Sequence, residues 1–215
     1  MTHTNMEICS RRDSRVEEAI DRHGCLTTEQ VYLMLFRRPK CGMRIAQRRL
    51  EKLTRQDRVK RKRPGFAMPY HYYVRELGQL EHRAGVNWVR LWLEKGLKSW
   101  VRLTVFEYEP KYEGIRPDAL AQFSNTATGQ SQFLFIELDR SGEFDKGQKY
   151  TEFYRQGHYL NSWWSRKADR FPAILVVCAT EARLRQARAN IEAHNPAGLE
   201  FDLHLLDHIR EDVRR

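Results

Sequence analysis

Apolar positions recur every three to four residues through the first quarter of the chain and alternate further along. Val16, Ala19 and Ile20 predict a helix over 12–23, with Gly24 placed to end it. Thr27 or Thr28 is expected to cap a second helix carrying Val31, Leu33, Met34 and Leu35. The break Arg38-Pro39-Lys40 separates this from a third helix over 42–55. There Ala46, Leu50 and Leu53 take the core face, and Arg44, Gln47, Arg48, Glu51 and Arg55 take the other. Two strand-like pieces, 58–63 and 70–74, flank Pro64-Gly65 and predict a hairpin. A basic third helix followed by a hairpin is the order of a winged helix-turn-helix module.

Beyond residue 80 the pattern changes. Val89, Trp92 and Leu93 predict a helix over 86–97, and alternation over 100–108 predicts a strand. Pro117 is tolerable only at an edge or a strand start, so Asp118 is expected to begin or kink the next strand. A turn over 125–129 leads to an apolar strand over 132–138. A helix over 147–164, a buried strand over 171–178, a helix over 181–193 capped by Thr180, and a last strand over 199–206 complete the reading. This order is α/β with a mixed central sheet. The chain therefore divides into a winged-helix domain, 1–80, and an α/β domain, 81–215.

Charge sharpens the division. The formal net charge is +10, yet residues 1–80 hold 18 Lys+Arg against 9 Asp+Glu while 81–215 hold 20 against 19. Residues 37–63 alone carry 13 basic residues and two acids, Glu51 and Asp57. So concentrated a positive field favours a polyanion such as duplex DNA. A solvated charged face is the plainer explanation of any charge run, but this run coincides with the third helix and the hairpin. Arg44, Gln47, Arg48 and Arg55 are the candidates for groove contacts. Lys60, Arg61, Lys62 and Arg63 are the candidates for phosphate contacts, which position a protein without specifying sequence.

Cys9, Cys25, Cys41 and Cys178 have no paired spacing of a zinc site and read as reduced thiols. No apolar run reaches membrane-spanning length, and the first residues lack the apolar stretch of a signal peptide, so a cytoplasmic protein without a membrane partner is expected. No phosphate-binding G-x-x-x-x-G-K-[ST] loop is present, which argues against an ATP-driven motor.

The chemistry-bearing residues lie in the second half. Asp118 at a strand start, Glu137 within an apolar strand and Lys149 on the following helix are the parts of a magnesium-dependent phosphodiesterase. Two carboxylates hold a hard cation such as Mg²⁺ through oxygen. The cation polarises the scissile phosphate, and the lysine steadies water or developing charge. Two acids meeting in an apolar setting raise each other's pKa unless a cation joins them. Plainer pairings stand beside this: Arg116 with Glu137 or Asp139, and Lys149 with Asp145 at i, i+4. The helix after Gly147 is rich in aromatics (Tyr150, Tyr154, Tyr159, Trp163, Trp164), which suits packing on a sheet and also base stacking with single-stranded DNA.

These motifs carry a resemblance. The order of elements is shared with the PD-(D/E)XK nuclease superfamily, and the chain over about 12–210 resembles the replication-relaxation family of plasmids and integrated mobile elements. The resemblance rests on the run 82–87 (HRAGVN), Trp100 before Glu107 and Glu109, Ile115-Arg116-Pro117-Asp118-Ala119-Leu120, Phe135-Ile136-Glu137-Leu138-Asp139-Arg140, Lys149-Tyr150 with Tyr154, and the run 171–177 (FPAILVV). In the superfamily a lysine follows the second acid by two residues. Here that position is Asp139, and Lys149 from the next helix is the substitute.

What the resemblance implies is a DNA-binding accessory protein of plasmid replication, relaxation or conjugative transfer, with Asp118 and Glu137 binding Mg²⁺ and a nicking reaction if the site is active. The rival is a non-catalytic regulator or scaffold that recruits a relaxase, replication initiator or helicase. A homodimer suits either, because helix-turn-helix proteins often read paired half-sites.

Overall fold

The computed structural model describes residues 5–215, with side chains from residue 10 onward, so the Cys9 side chain lies outside the described residues. The described residues form two compact units that part between Asn87 and Trp88. The parting falls inside one helix, whereas the fall in charge lies at residue 80.

In the first unit, α1 (Asn5–His23) begins before the expected residue 12 and ends at Gly24, whose φ of +78° suits glycine. Thr27 caps α2 (Thr28–Val31) in a reciprocal box: its hydroxyl accepts the Gln30 N–H at 3.3 Å, and Gln30 Oε1 accepts the Thr27 N–H at 3.0 Å. The helix runs on as a π-helical turn (Tyr32–Phe36). Helix α3 (Gly42–Arg55) buries Ala46, Leu50 and Leu53 against Val16, Ile20, Leu26 and Val31.

Strands β2 (Lys60–Lys62) and β3 (His71–Tyr73) form the expected hairpin. A third short strand, β1 (Leu26–Thr27), pairs antiparallel with the other edge of β3. Two residues have too little periodicity to announce a strand. Three helices with a small sheet of order β1-β3-β2 fit a winged helix.

Helix α4 (Leu80–Gly96) starts before the expected residue 86, and its residues from Trp88 on belong to the second unit. That unit is built on a five-stranded mixed sheet. Strands β4 (Val101–Tyr108), β5 (Ala119–Asn125) and β6 (Ser131–Asp139) run antiparallel, then β7 (Ala173–Cys178) and β8 (Phe201–Leu205) join parallel.

Helices α5 (Lys146–Arg155) and α6 (Glu181–His194) connect the parallel strands, and α7 (Leu206–Arg214) closes the chain. Thr180 caps α6 as expected, accepting the Arg183 N–H at 3.3 Å. The α7 stripe Leu206, Ile209, Val213 is buried. Its i, i+3, i+7 spacing is readable in the sequence, although the expected elements end at residue 206.

One expected element is corrected. The helix over 147–164 stops at Arg155, because Gly157 adopts φ +71° and donates to the Tyr154 carbonyl. Two 3-10 turns follow, and they set Trp164 into the core beside Phe135, Tyr112 and Phe171. Burial of a large aromatic outweighs continuation of the helix here.

Candidate functional site

The C-terminal ends of the parallel strands carry the polar cluster of the second unit. Asp118 stands just before β5, joined to the sheet by its N–H to the Ile136 carbonyl (2.9 Å). Its Oδ2 accepts the Leu138 N–H at 2.6 Å. Pro117, buried at the strand start, removes a donor where the ladder does not need one, so the expected placement of Asp118 holds.

Glu137 lies in β6 with its side chain almost wholly buried. Oε1 accepts the Tyr150 hydroxyl at 2.8 Å, and Oε2 meets Lys146 Nζ at 2.8 Å. Both partners come from the first turns of α5, whose residues Tyr150 and Phe153 are held in the core.

Burial pushes the Glu137 carboxyl up from an ordinary 4.5 to about 7; Lys146 opposes the rise, and the Asp118 carboxylate adds to it. For Lys146, burial disfavours the charge, but Glu137, Asp118 and Asp145 outweigh it and the net shift is upward. Burial and the Glu137 carboxylate keep Tyr150 protonated far above its ordinary range.

Lys149 takes the plainer pairing the sequence offers. It pairs with Asp145 at 2.5 Å, the i, i+4 alternative, and half its side chain is exposed. Lys146, one helical turn earlier, takes the place beside Glu137. Helical periodicity puts both lysines near the acids but does not say which turns inward. Lys149 still lines, with Glu137, Lys146, Arg116, Tyr112, Gly114 and Ile115, a cavity of about 360 Å³.

Arg116 pairs with Glu109 and not with Glu137 or Asp139. Asp139, at the position where the superfamily carries lysine, is buried and held by Arg183 through two hydrogen bonds, of 2.8 and 2.5 Å. Arg183 is 44 residues away on α6, and nothing in the sequence announces the pair.

The donors facing a cation would all be oxygens of Asp118 and Glu137. Among the described residues no three His, Cys, Asp or Glu side chains gather as a metal-holding group. Two carboxylates nonetheless suit Mg²⁺, which is commonly held by one or two carboxylates with water and substrate phosphate completing its shell.

In the first unit the expected contact residues are exposed. Arg44, Gln47, Arg48 and Arg55 are exposed on α3, and Lys60, Arg61 and Lys62 are exposed throughout β2. Other basic residues there are used internally: Arg49 (3.2 Å) and Lys52 (2.6 Å) hold the buried Asp13, and Arg58 holds Glu17. Arg61 and Arg63 lay their guanidinium groups 4.7 and 4.3 Å from the Tyr70 ring.

Comparison recognises most of this first unit. The sequence profile of the replication-relaxation family matches residues 18–82. Over this span the chain is similar to the replication-relaxation family. The matched span runs from α1 through the β2–β3 hairpin to the start of α4, so the Arg116-Pro117-Asp118 and Glu137-Leu138-Asp139 motifs lie outside it. Neither the curated proteins nor the solved structures include a match to this chain. No helix among the described residues is long and apolar enough to cross a membrane.

Proposed function

We propose that this chain is a replication-relaxation protein, a DNA-binding accessory factor of plasmid or mobile-element replication, relaxation or conjugative transfer, and that its second unit is a PD-(D/E)XK-like, Mg²⁺-dependent nicking nuclease. The N-terminal unit supports duplex binding. Exposed Arg44, Gln47 and Arg48 on α3 suit groove contacts, and Lys60, Arg61, Lys62 and Arg63 suit phosphates.

The observation that carries the nuclease reading is the meeting of Asp118, Glu137 and Lys146 beside the 360 Å³ cavity rimmed by Arg116 and Lys149. Asp118 and Glu137 would hold the cation. When bound, Mg²⁺ supplies Lewis acidity toward a phosphate oxygen and an attacking water. The chain's own groups do the rest. The Leu138 N–H orients Asp118, and the Tyr150 hydroxyl fixes the Glu137 rotamer. Lys146 presents ammonium protons to water or to developing charge on the phosphate, a role that spacing alone gives to Lys149. Lys149 and Arg116, at the cavity rim, suit the flanking phosphates of a strand.

A second reading has its own support. Both Glu137 oxygens are already engaged by Tyr150 and Lys146, and Arg183 neutralises Asp139. A network satisfied in this way is stable without a metal and suits a non-catalytic regulator or scaffold recruiting a relaxase, initiator or helicase.

Supercoiled plasmid incubated with the full chain and Mg²⁺ or Mn²⁺ separates the two. Open-circle product that vanishes with chelator and in Asp118→Ala supports the nuclease. Salt-sensitive duplex binding with no nicking on any substrate supports the scaffold.

A further inference from the structure

Phe66 sits at the tip of the β2–β3 wing with 97% of its surface exposed, far beyond Leu160 at 62% and every other large apolar side chain in the described residues. Its neighbours Pro64, Ala67, Met68 and Pro69 are exposed as well. An apolar run in solvent is a cost that a fold carries only where it is used.

The tip is also shaped. The Met68 N–H donates to the Gly65 carbonyl at 3.1 Å, closing a tight turn that thrusts Phe66 outward, and Arg63 Nη1 donates to the Phe66 carbonyl at 3.4 Å. Pro64 and Pro69 bracket the turn and restrict its backbone. The apolar core of the unit is made by α1, β1, α2, α3 and the flanks of the hairpin, without Phe66 or Met68.

The surroundings of this ring say what it meets. Between Asp57 and Glu76 the chain has no acid, while Arg58, Lys60, Arg61, Lys62, Arg63 and Arg75 are all basic. Arg61 and Arg63 are drawn back onto Tyr70, which leaves the ring as the foremost group of the tip. A protein partner that covers one phenylalanine does not call for such a field. An anionic membrane is more commonly met by an amphipathic helix; here the ring stands on a turn, in a unit whose α3 exposes Arg44, Gln47 and Arg48.

We infer that Phe66 is a wedge that enters a base step of duplex DNA from the minor groove, partly unstacking it and bending the duplex while the basic strand of the wing holds the phosphates. The inference rests on the duplex-binding reading above. It adds an apolar, deformation-dependent contact, so the protein favours sequences with easily unstacked pyrimidine–purine steps.

The test uses the full chain and a duplex of about 30 base pairs, long enough to report a bend, with central TA steps and an end-to-end fluorescence energy-transfer pair. The wild type is expected to raise transfer on binding. Phe66→Ala should abolish that rise and weaken binding about tenfold, in the range of losing one stacked ring. The log–log salt slope should stay unchanged because every phosphate remains neutralised. Phe66→Leu should restore the bend in part.

Wild-type binding without any change in transfer, or a Phe66→Ala variant that bends and binds like the wild type, overturns the wedge and leaves duplex binding intact. Absence of salt-sensitive wild-type binding to any duplex is the separate failure of the underlying reading. Binding to phosphatidylserine vesicles that requires Phe66, with no such requirement on duplex, overturns the wedge in favour of a membrane contact.

Discussion

Lys146 Nζ lies 2.8 Å from Glu137 Oε2, one helical turn ahead of the lysine that spacing alone favours. The pair bridges the end of β6 and the first turn of α5, and Asp118 adds a second carboxylate to the same field. Lys149, by contrast, spends its charge on Asp145 near the surface.

The two lysines are therefore expected to separate cleanly in the plasmid assay. Lys146→Met should lower nicking at least about a hundredfold, the usual scale for losing a charge-stabilising or proton-handling group. Lys149→Met should lower it about tenfold or less, through a weaker hold on a flanking phosphate. Circular dichroism melts confirm that each variant folds. Equal losses in both, or a loss for Lys149 alone, would refute the assignment.

The raised Glu137 pKa makes stability depend on pH with a definite sign. The folded carboxyl titrates near 7 and the unfolded one near 4.5, so the folded state binds this proton more tightly. Its stabilising contribution is complete below about 4.5 and is lost as pH rises through 7. At about 1.4 kcal/mol per unit the loss is on the order of 3–4 kcal/mol. Urea titrations with chelator present should find that Glu137→Gln, which cannot titrate, flattens this part of the pH profile. A wild-type-like slope in the variant would place the titration elsewhere.

The outer face of β2 should behave as a set of phosphate contacts. Lys60→Ala or Lys62→Ala is expected to weaken binding to all duplex sequences alike and to flatten the log–log salt slope by about 0.9 for each phosphate no longer neutralised. Fluorescence anisotropy at several salt concentrations reads both effects. Unchanged affinity at low and high salt would remove these lysines from the interface.

Gly42 marks a close approach that fixes where α3 begins. A Cβ there would stand 1.9 Å from the Phe36 carbonyl oxygen and 2.9 Å from both the Phe36 carbonyl carbon and the Tyr32 ring. Backbone cannot yield as a flexible side chain can. Gly42→Ala is expected to destabilise the N-terminal unit by about 2 kcal/mol or more, although alanine favours helix. A variant as stable as the wild type in a urea melt would show that the turn relaxes freely.

The sequence by itself determined most of the elements and the charge partition. Ala46, Leu50 and Leu53 specify α3 and its buried face because local periodicity and burial agree there. The Thr27 and Thr180 caps are local chemistry within three residues, and the exposed basic face is the complement of the apolar stripe. Asp118 at a strand start follows from Pro117.

Tertiary structure decided everything that depended on one side chain meeting another from far along the chain. Lys146 and Lys149 are both helical neighbours of the acids, and only the packing of Tyr150 and Phe153 sets the rotation of α5 that turns Lys146 inward. Arg183 finds Asp139 across 44 residues because α6 follows the parallel strand beside β6. The long aromatic helix broke at Gly157 because Trp164 gains more from the core than from one more helical turn. A repeat of three or four residues records which face is apolar. Pairings between distant polar groups leave no such period, because long-range geometry selects them and no local spacing encodes it.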